Sequence, residues 1–115
     1  MSTPDSAVPG VDPTVAAAIV DSGDALLLDV RGDDEWAAGH SPTATHLPLG
    51  QLHPAAIPAD IPVIAICRSG ARSARAAATL AADGISVSNL DGGMKAWAAA
   101  GLPIVTDTGA PGTVA

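Results

Sequence analysis

Three short strand-like segments constrain this chain most: Ala25-Leu26-Leu27-Leu28-Asp29-Val30, Pro62-Val63-Ile64-Ala65-Ile66 and Ile85-Ser86-Val87-Ser88-Asn89-Leu90. The first two have almost no polar alternation, which is how strands buried on both faces of a parallel sheet read. Helix signals lie between them. Asp12-Pro13 fits an N-cap with proline at the first helical position, opening a helix to about Asp21 that Ser22-Gly23 ends. Asp33-Asp34-Glu35-Trp36 reads as the acidic first turn of a short helix closed by Gly39. The alanine-rich stretch after Cys67 predicts a helix to about Asp83 with Gly84 as its stop, and Asp91-Gly92-Gly93 turns into a last helix over residues 94–100. Weaker strands are expected over residues 8–11 and 43–47. The segment 48–62 holds four prolines and reads as turns, with one helical turn near residues 52–56. Strands alternating with helices define an α/β fold with a mainly parallel sheet, whose strand C-termini share one edge where ligands bind. Residues 1–7 are expected to form a loose lead-in, residues 8–105 one domain, and the Gly-, Pro- and Thr-rich residues 106–115 a flexible tail.

The 115 residues suffice for one core, which must be built from Leu, Ile, Val, Ala and two Trp because Phe and Tyr are absent. A net charge of −7 argues against nucleic acid or an anionic membrane as partner. No stretch has the length of a membrane span and the N-terminus has no signal-peptide pattern, so the cytoplasm is the expected location. One cysteine rules out an internal disulfide and a multi-cysteine zinc site, and it leaves no resolving thiol. His40, His46 and His53 lack metal-ligand spacing, and no metal or cofactor is called for.

That lone thiol, Cys67, follows the second apolar run directly and precedes Arg68-Ser69-Gly70-Ala71-Arg72-Ser73. A loop entering a helix points backbone N–H groups at one spot and favours an anion there. A cysteine in that place, beside arginines, is an activated nucleophile. Three of the five basic residues, Arg68, Arg72 and Arg75, lie within eight residues of it. Arg68, Ser69, Gly70, Ala71 and Arg72 are therefore the candidate substrate cradle: N–H groups to stabilise charge, Gly70 to let the backbone turn, and two guanidiniums for a compact oxyanion. Cysteine phosphatases place five residues between Cys and Arg. Here four separate Cys67 from Arg72, and Ser73 stands where that arginine would be. A smaller cradle suits a persulfide better than a phosphoryl group.

The motifs Leu28-Asp29-Val30-Arg31, Glu35-Trp36, Gly39-His40, Leu47-Pro48-Leu49, Cys67-Arg68-Ser69-Gly70-Ala71-Arg72-Ser73 and Gly92-Gly93-Met94 with Trp97 occur in an order and spacing that resembles a single-domain rhodanese over residues 8–104. The resemblance implies a five-stranded parallel sheet flanked by helices on both faces. It implies a thiosulfate sulfurtransferase in which Cys67 becomes a persulfide. Thiosulfate or a related sulfane-sulfur anion is the implied donor, and cyanide or an external thiol such as glutathione, thioredoxin or a partner protein the acceptor. In the family an arginine directly after the cysteine goes with thiosulfate use, and Arg68 matches. Ser41, where an aliphatic residue is usual, and His46, where asparagine is common, depart from the pattern. The alternatives are a sulfur carrier loaded by a protein partner, and a cysteine phosphatase or arsenate reductase.

Blander roles are assigned to the rest. Arg72 is read either as a substrate contact or as a structural tie to a carboxylate such as Asp29. Arg31 and Glu35, four apart, are expected to pair. Arg75 is placed on a solvated helix face, Trp36 and Trp97 in the core, and the histidines in turns or core.

Overall fold

The computed structural model describes residues 8–58 and 60–115, and the expected lead-in, residues 1–7, lies outside them. Among the described residues, five strands and four helices follow one another as β1 (Gly10–Val11), α1 (Pro13–Asp21), β2 (Leu26–Asp29), α2 (Asp33–Ala38), β3 (Ala44–His46), β4 (Val63–Ile66), α3 (Ala71–Ala82), β5 (Val87–Leu90) and α4 (Gly93–Ala99). The single helical turn expected near residues 52–56 is instead a pair of 3-10 turns, Leu49–Gln51 and Pro54–Ala56. The capping signals act as read. Asp12 Oδ1 accepts from the Thr14 N–H at 2.8 Å, with Pro13 opening α1.

All strand pairs are parallel, in the order β1-β5-β4-β2-β3. The all-apolar β4 is central and wholly buried. Its residues alternate between two cores. Ile64 and Ile66 point with Leu27, Leu90 and Trp97 into the layer beneath α1 and α4. Val63, Ala65 and Cys67 point with Leu28 into the layer beneath α3, whose Ala76, Ala77 and Leu80 recur at helical spacing. Trp97 fills the first layer and satisfies its indole N–H on the Pro103 carbonyl at 2.9 Å. Asp29 pairs with Ile66, so β2 and β4 end level and Cys67 is the first residue past that edge.

Residues 106–115, expected as a flexible tail, make backbone and side-chain contacts with the domain. Val105 exchanges backbone hydrogen bonds with His40, both 2.9 Å, and bridges Pro111. The Gly112 N–H then donates to Ile104, and the Thr113 N–H to Ala38, each at 2.9 Å. Val114 packs against the α1–α4 core. Gly39 permits the crossing, because a Cβ there would overlap the Thr113 backbone. Among the described residues, no helix is long and apolar enough to cross a membrane.

Candidate active site

Cys67 leaves β4 at the floor of the strand edge, 1 % exposed. Its sulfur receives the Gly70 N–H at 3.1 Å and has the Ser73 hydroxyl at 3.3 Å. Burial pushes the thiol up. The Ser73 hydroxyl and the backbone of Ser73, Gly70 and Ser69 outweigh it, leaving Cys67 below the ordinary thiol range. A sulfur that accepts several N–H and O–H donors is stabilised as thiolate, which is the nucleophilic form.

The loop is held in this shape from below. The Met94 N–H donates to the Cys67 carbonyl at 2.7 Å and the Lys95 N–H to that of Arg68 at 3.0 Å. With both carbonyls turned onto the start of α4, the following N–H groups are free to face the sulfur. Gly93 makes this approach possible: a Cβ there would lie 2.5 Å from the Cys67 carbonyl oxygen and 2.6 Å from that of Arg68, at φ +61°. Gly70, at φ 112°, turns the loop into α3.

The charges sort differently from expectation. Arg31 does not pair with the Glu35 carboxylate. Its Nε and Nη2 clasp Asp29 at 2.8–3.1 Å, with both side chains fully buried. It reaches Glu35 only through that residue's backbone carbonyl, at 3.3 Å. The Glu35 carboxylate instead takes both terminal nitrogens of Arg72, at 2.6 and 2.7 Å, and the Gly32 N–H at 3.1 Å. The Arg72 hydrogen bonds hold Glu35 down at about 2. The tie foreseen for Arg72 thus exists, to Glu35 rather than to Asp29. Arg72 also feels the Cys67 charge. Arg68 and Ser69 are exposed at the mouth, and the Arg68 Nε donates to the Ala115 carbonyl at 2.8 Å. Arg75 is exposed on α3 as expected.

Trp36 does not enter the core. It lies half-buried between two imidazoles, stacked on His40 at 3.6 Å and on His46 at 4.6 Å between ring centroids. His40 is buried, whereas His53 is exposed at a 3-10 turn. Among the described residues, no three His, Cys, Asp or Glu side chains gather to hold a metal ion.

Residues 12–100 match the rhodanese-like domain family. The chain belongs to that family. It is 45 % identical over 94 residues to a protein named sulfurtransferase from Allochromatium vinosum, covering 79 % of this chain and 88 % of the relative. It is 40 % identical over 81 residues to thiosulfate sulfurtransferase GlpE of Ectopseudomonas mendocina, covering 68 % and 74 % of the two chains. A rhodanese-related protein from Thermoplasma volcanium superposes with a TM-score of 0.80 at 24 % identity, covering 86 % of this chain and 99 % of that one.

In this rhodanese-like domain, Cys67, Arg68, Ser69, Gly70, Ala71 and Arg72 form one continuous turn at the strand edge, as their adjacency in sequence requires. Sequence reasoning gave no site role to Ser73 or Asn89, whereas Gly93, already quoted among the motifs, reaches the turn from α4. Ser73 contacts the sulfur, Asn89 on β5 contacts Ser73, and Gly93 lets α4 approach. A signal for Asn89 existed: it is the one amide in β5, near the strand end that faces the Cys67 loop.

Proposed function

We propose that this protein is a sulfurtransferase that carries sulfane sulfur on Cys67. One observation carries the reading: a buried thiol, pulled toward its ionised form by the Gly70 N–H and the Ser73 hydroxyl, beneath an exposed Arg68. The donor that fits is thiosulfate or a similar small anion. The Cys67 thiolate attacks the outer sulfur. A new S–S bond forms to Cys67, the old S–S bond breaks, and sulfite leaves with its electron pair. Arg68 and the loop N–H groups meet the oxyanion, while Arg72, fixed by Glu35, adds positive charge behind them. The persulfide then passes its terminal sulfur to cyanide, giving thiocyanate, or to an external thiol, and the Cys67 thiolate is regenerated. No second cysteine in the chain can take the sulfur.

Phosphoryl transfer fits the cradle less well. Ser73 occupies the position of the phosphatase arginine and faces the sulfur with a hydroxyl, and Arg72 is spent on Glu35. The names of the sulfurtransferase relatives favour the same choice. The test is intact mass after incubation with thiosulfate, mercaptopyruvate and glutathione persulfide in parallel. Wild type should gain one sulfur atom that cyanide removes, and Cys67→Ser should gain none. Loading by a persulfidated protein but by no small donor would make the domain a carrier. Loading by nothing would end the proposal.

A further inference from the structure

We infer that Asn89 is a positioning residue that sets how readily Cys67 ionises, acting through the Ser73 hydroxyl; this rests on Cys67 being the nucleophile. The Ser73 side chain is fully buried, and its one hydroxyl proton has three acceptors within reach. These are Asn89 Oδ1 at 2.5 Å, the Gly70 carbonyl at 3.2 Å and Cys67 Sγ at 3.3 Å. The orientation of the Asn89 amide is fixed by its other end. Nδ2 lies 3.2 Å from the Gly70 carbonyl, which can only accept, so Oδ1 faces Ser73 and needs its O–H.

Two proton arrangements follow. With Cys67 protonated, the S–H donates to Ser73 Oγ and the Ser73 O–H donates to Asn89, so every group is satisfied. When the thiol proton leaves to solvent, the sulfur becomes an acceptor only. The hydroxyl then turns to the sulfur, and Asn89 Oδ1 is left facing a lone pair at hydrogen-bond distance. Ionisation makes one charge-assisted hydrogen bond, from the hydroxyl to the sulfur, and breaks two between neutral groups, the S–H to Oγ and the O–H to Oδ1. Ser73 therefore favours the thiolate, and Asn89 opposes it by competing for the same proton. The charged groups around the sulfur are otherwise engaged or outlying. Arg72 of α3 is held by Glu35 of α2, and Asp29 of β2 is locked to Arg31. Asp91, just past β5, and Lys95 on α4 are exposed.

The test is the rate of Cys67 alkylation by iodoacetamide as a function of pH, which needs no sulfur donor. Ser73→Ala should raise the midpoint by about one pH unit, and Asn89→Ala should lower it by about half a unit. Below the midpoint, Asn89→Ala should then react about threefold faster than wild type. The double variant should coincide with Ser73→Ala, because Asn89 has no hydroxyl left to compete for. Asn89→Val, which suits a strand and cannot hydrogen-bond, replaces the alanine variant if that one does not fold. The inference is overturned if removing Asn89 leaves the midpoint in place or raises it, whatever the Tm does, or shifts it equally with and without Ser73. Intact mass with thiosulfate, run on the same wild-type protein, separates the two claims. A missing sulfur adduct with the predicted pH profiles would sink sulfur transfer alone.

Discussion

Glu35 and Arg72 join α2 to the start of α3 through a two-pronged ion pair at 2.6 and 2.7 Å. Glu35 sits at about 2 in the folded protein against 4.5 ordinarily. The stability this contributes is whole above the ordinary value and is lost as pH falls toward the folded one. Wild type should thus lose Tm more steeply than Glu35→Gln between about pH 4.5 and pH 2, and the two melting curves should converge in acid. The pair is partly open to water, which screens it and keeps the neutral-pH gap to a few degrees at most. Parallel curves would mean that the pair carries no stability. Arg68 has a different job. It is exposed, and the only side-chain bond it makes among the described residues is to a backbone carbonyl. Arg68→Ala should raise KM for thiosulfate about tenfold, with a smaller effect on transfer from a neutral donor. Equal losses with both donors would remove it from anion capture. The partners of Arg31 and Glu35 were misread for a specific reason. The four-residue rule holds within one helix, but α2 begins at Asp33, so Arg31 lies in the extended chain before it and reaches back to Asp29.

The approach of one element to the Cys67 loop is set by a single residue. For α4 that residue is Gly93, whose missing side chain lets the Met94 N–H reach the Cys67 carbonyl at 2.7 Å. Gly93→Ala should cost about 2–4 kcal/mol, from a left-handed backbone and a steric clash together, and should slow Cys67 alkylation as well. Gly50→Ala is the control, since a Cβ there meets nothing within 4 Å. Chemical denaturation of the two variants side by side checks the difference, and equal midpoints would remove Gly93 from the support of the loop. At this scale the sequence was most readable. Uninterrupted apolar runs placed β2 and β4, and Asp12-Pro13 placed the start of α1, because burial on two faces and capping leave local marks. Ser73 and Asn89 left none that could be joined: they are 16 positions apart in sequence, and only the docking of α3 on β5 brings them to 2.5 Å.

For the whole molecule, the informative region is the C-terminal segment. Its composition reads as unstructured, yet its hold is mostly backbone, through the hydrogen bonds of Gly112 and Thr113 and the bridge at Val105. Composition does not encode such pairing, and Val114 is too isolated to stand out. Removing residues 107–115 should lower the Tm by about 5–10 °C through the lost packing of Val114 and the unpaired edge, with the pH profile of Cys67 retained. An unchanged melt would return the segment to the status of a tail. The strand order has a further consequence for when reactivity arises. The first strand, β1, pairs with the last, β5, and the cysteine's carbonyl is caught by a helix that begins 26 residues later. A ribosome reading this chain from its N-terminus releases Cys67 well before Asn89, Gly93 and Met94 have emerged. The nascent chain therefore presents Cys67 before α4 can fix its loop, and the full set of contacts around the cysteine is completed only by the closing steps of folding.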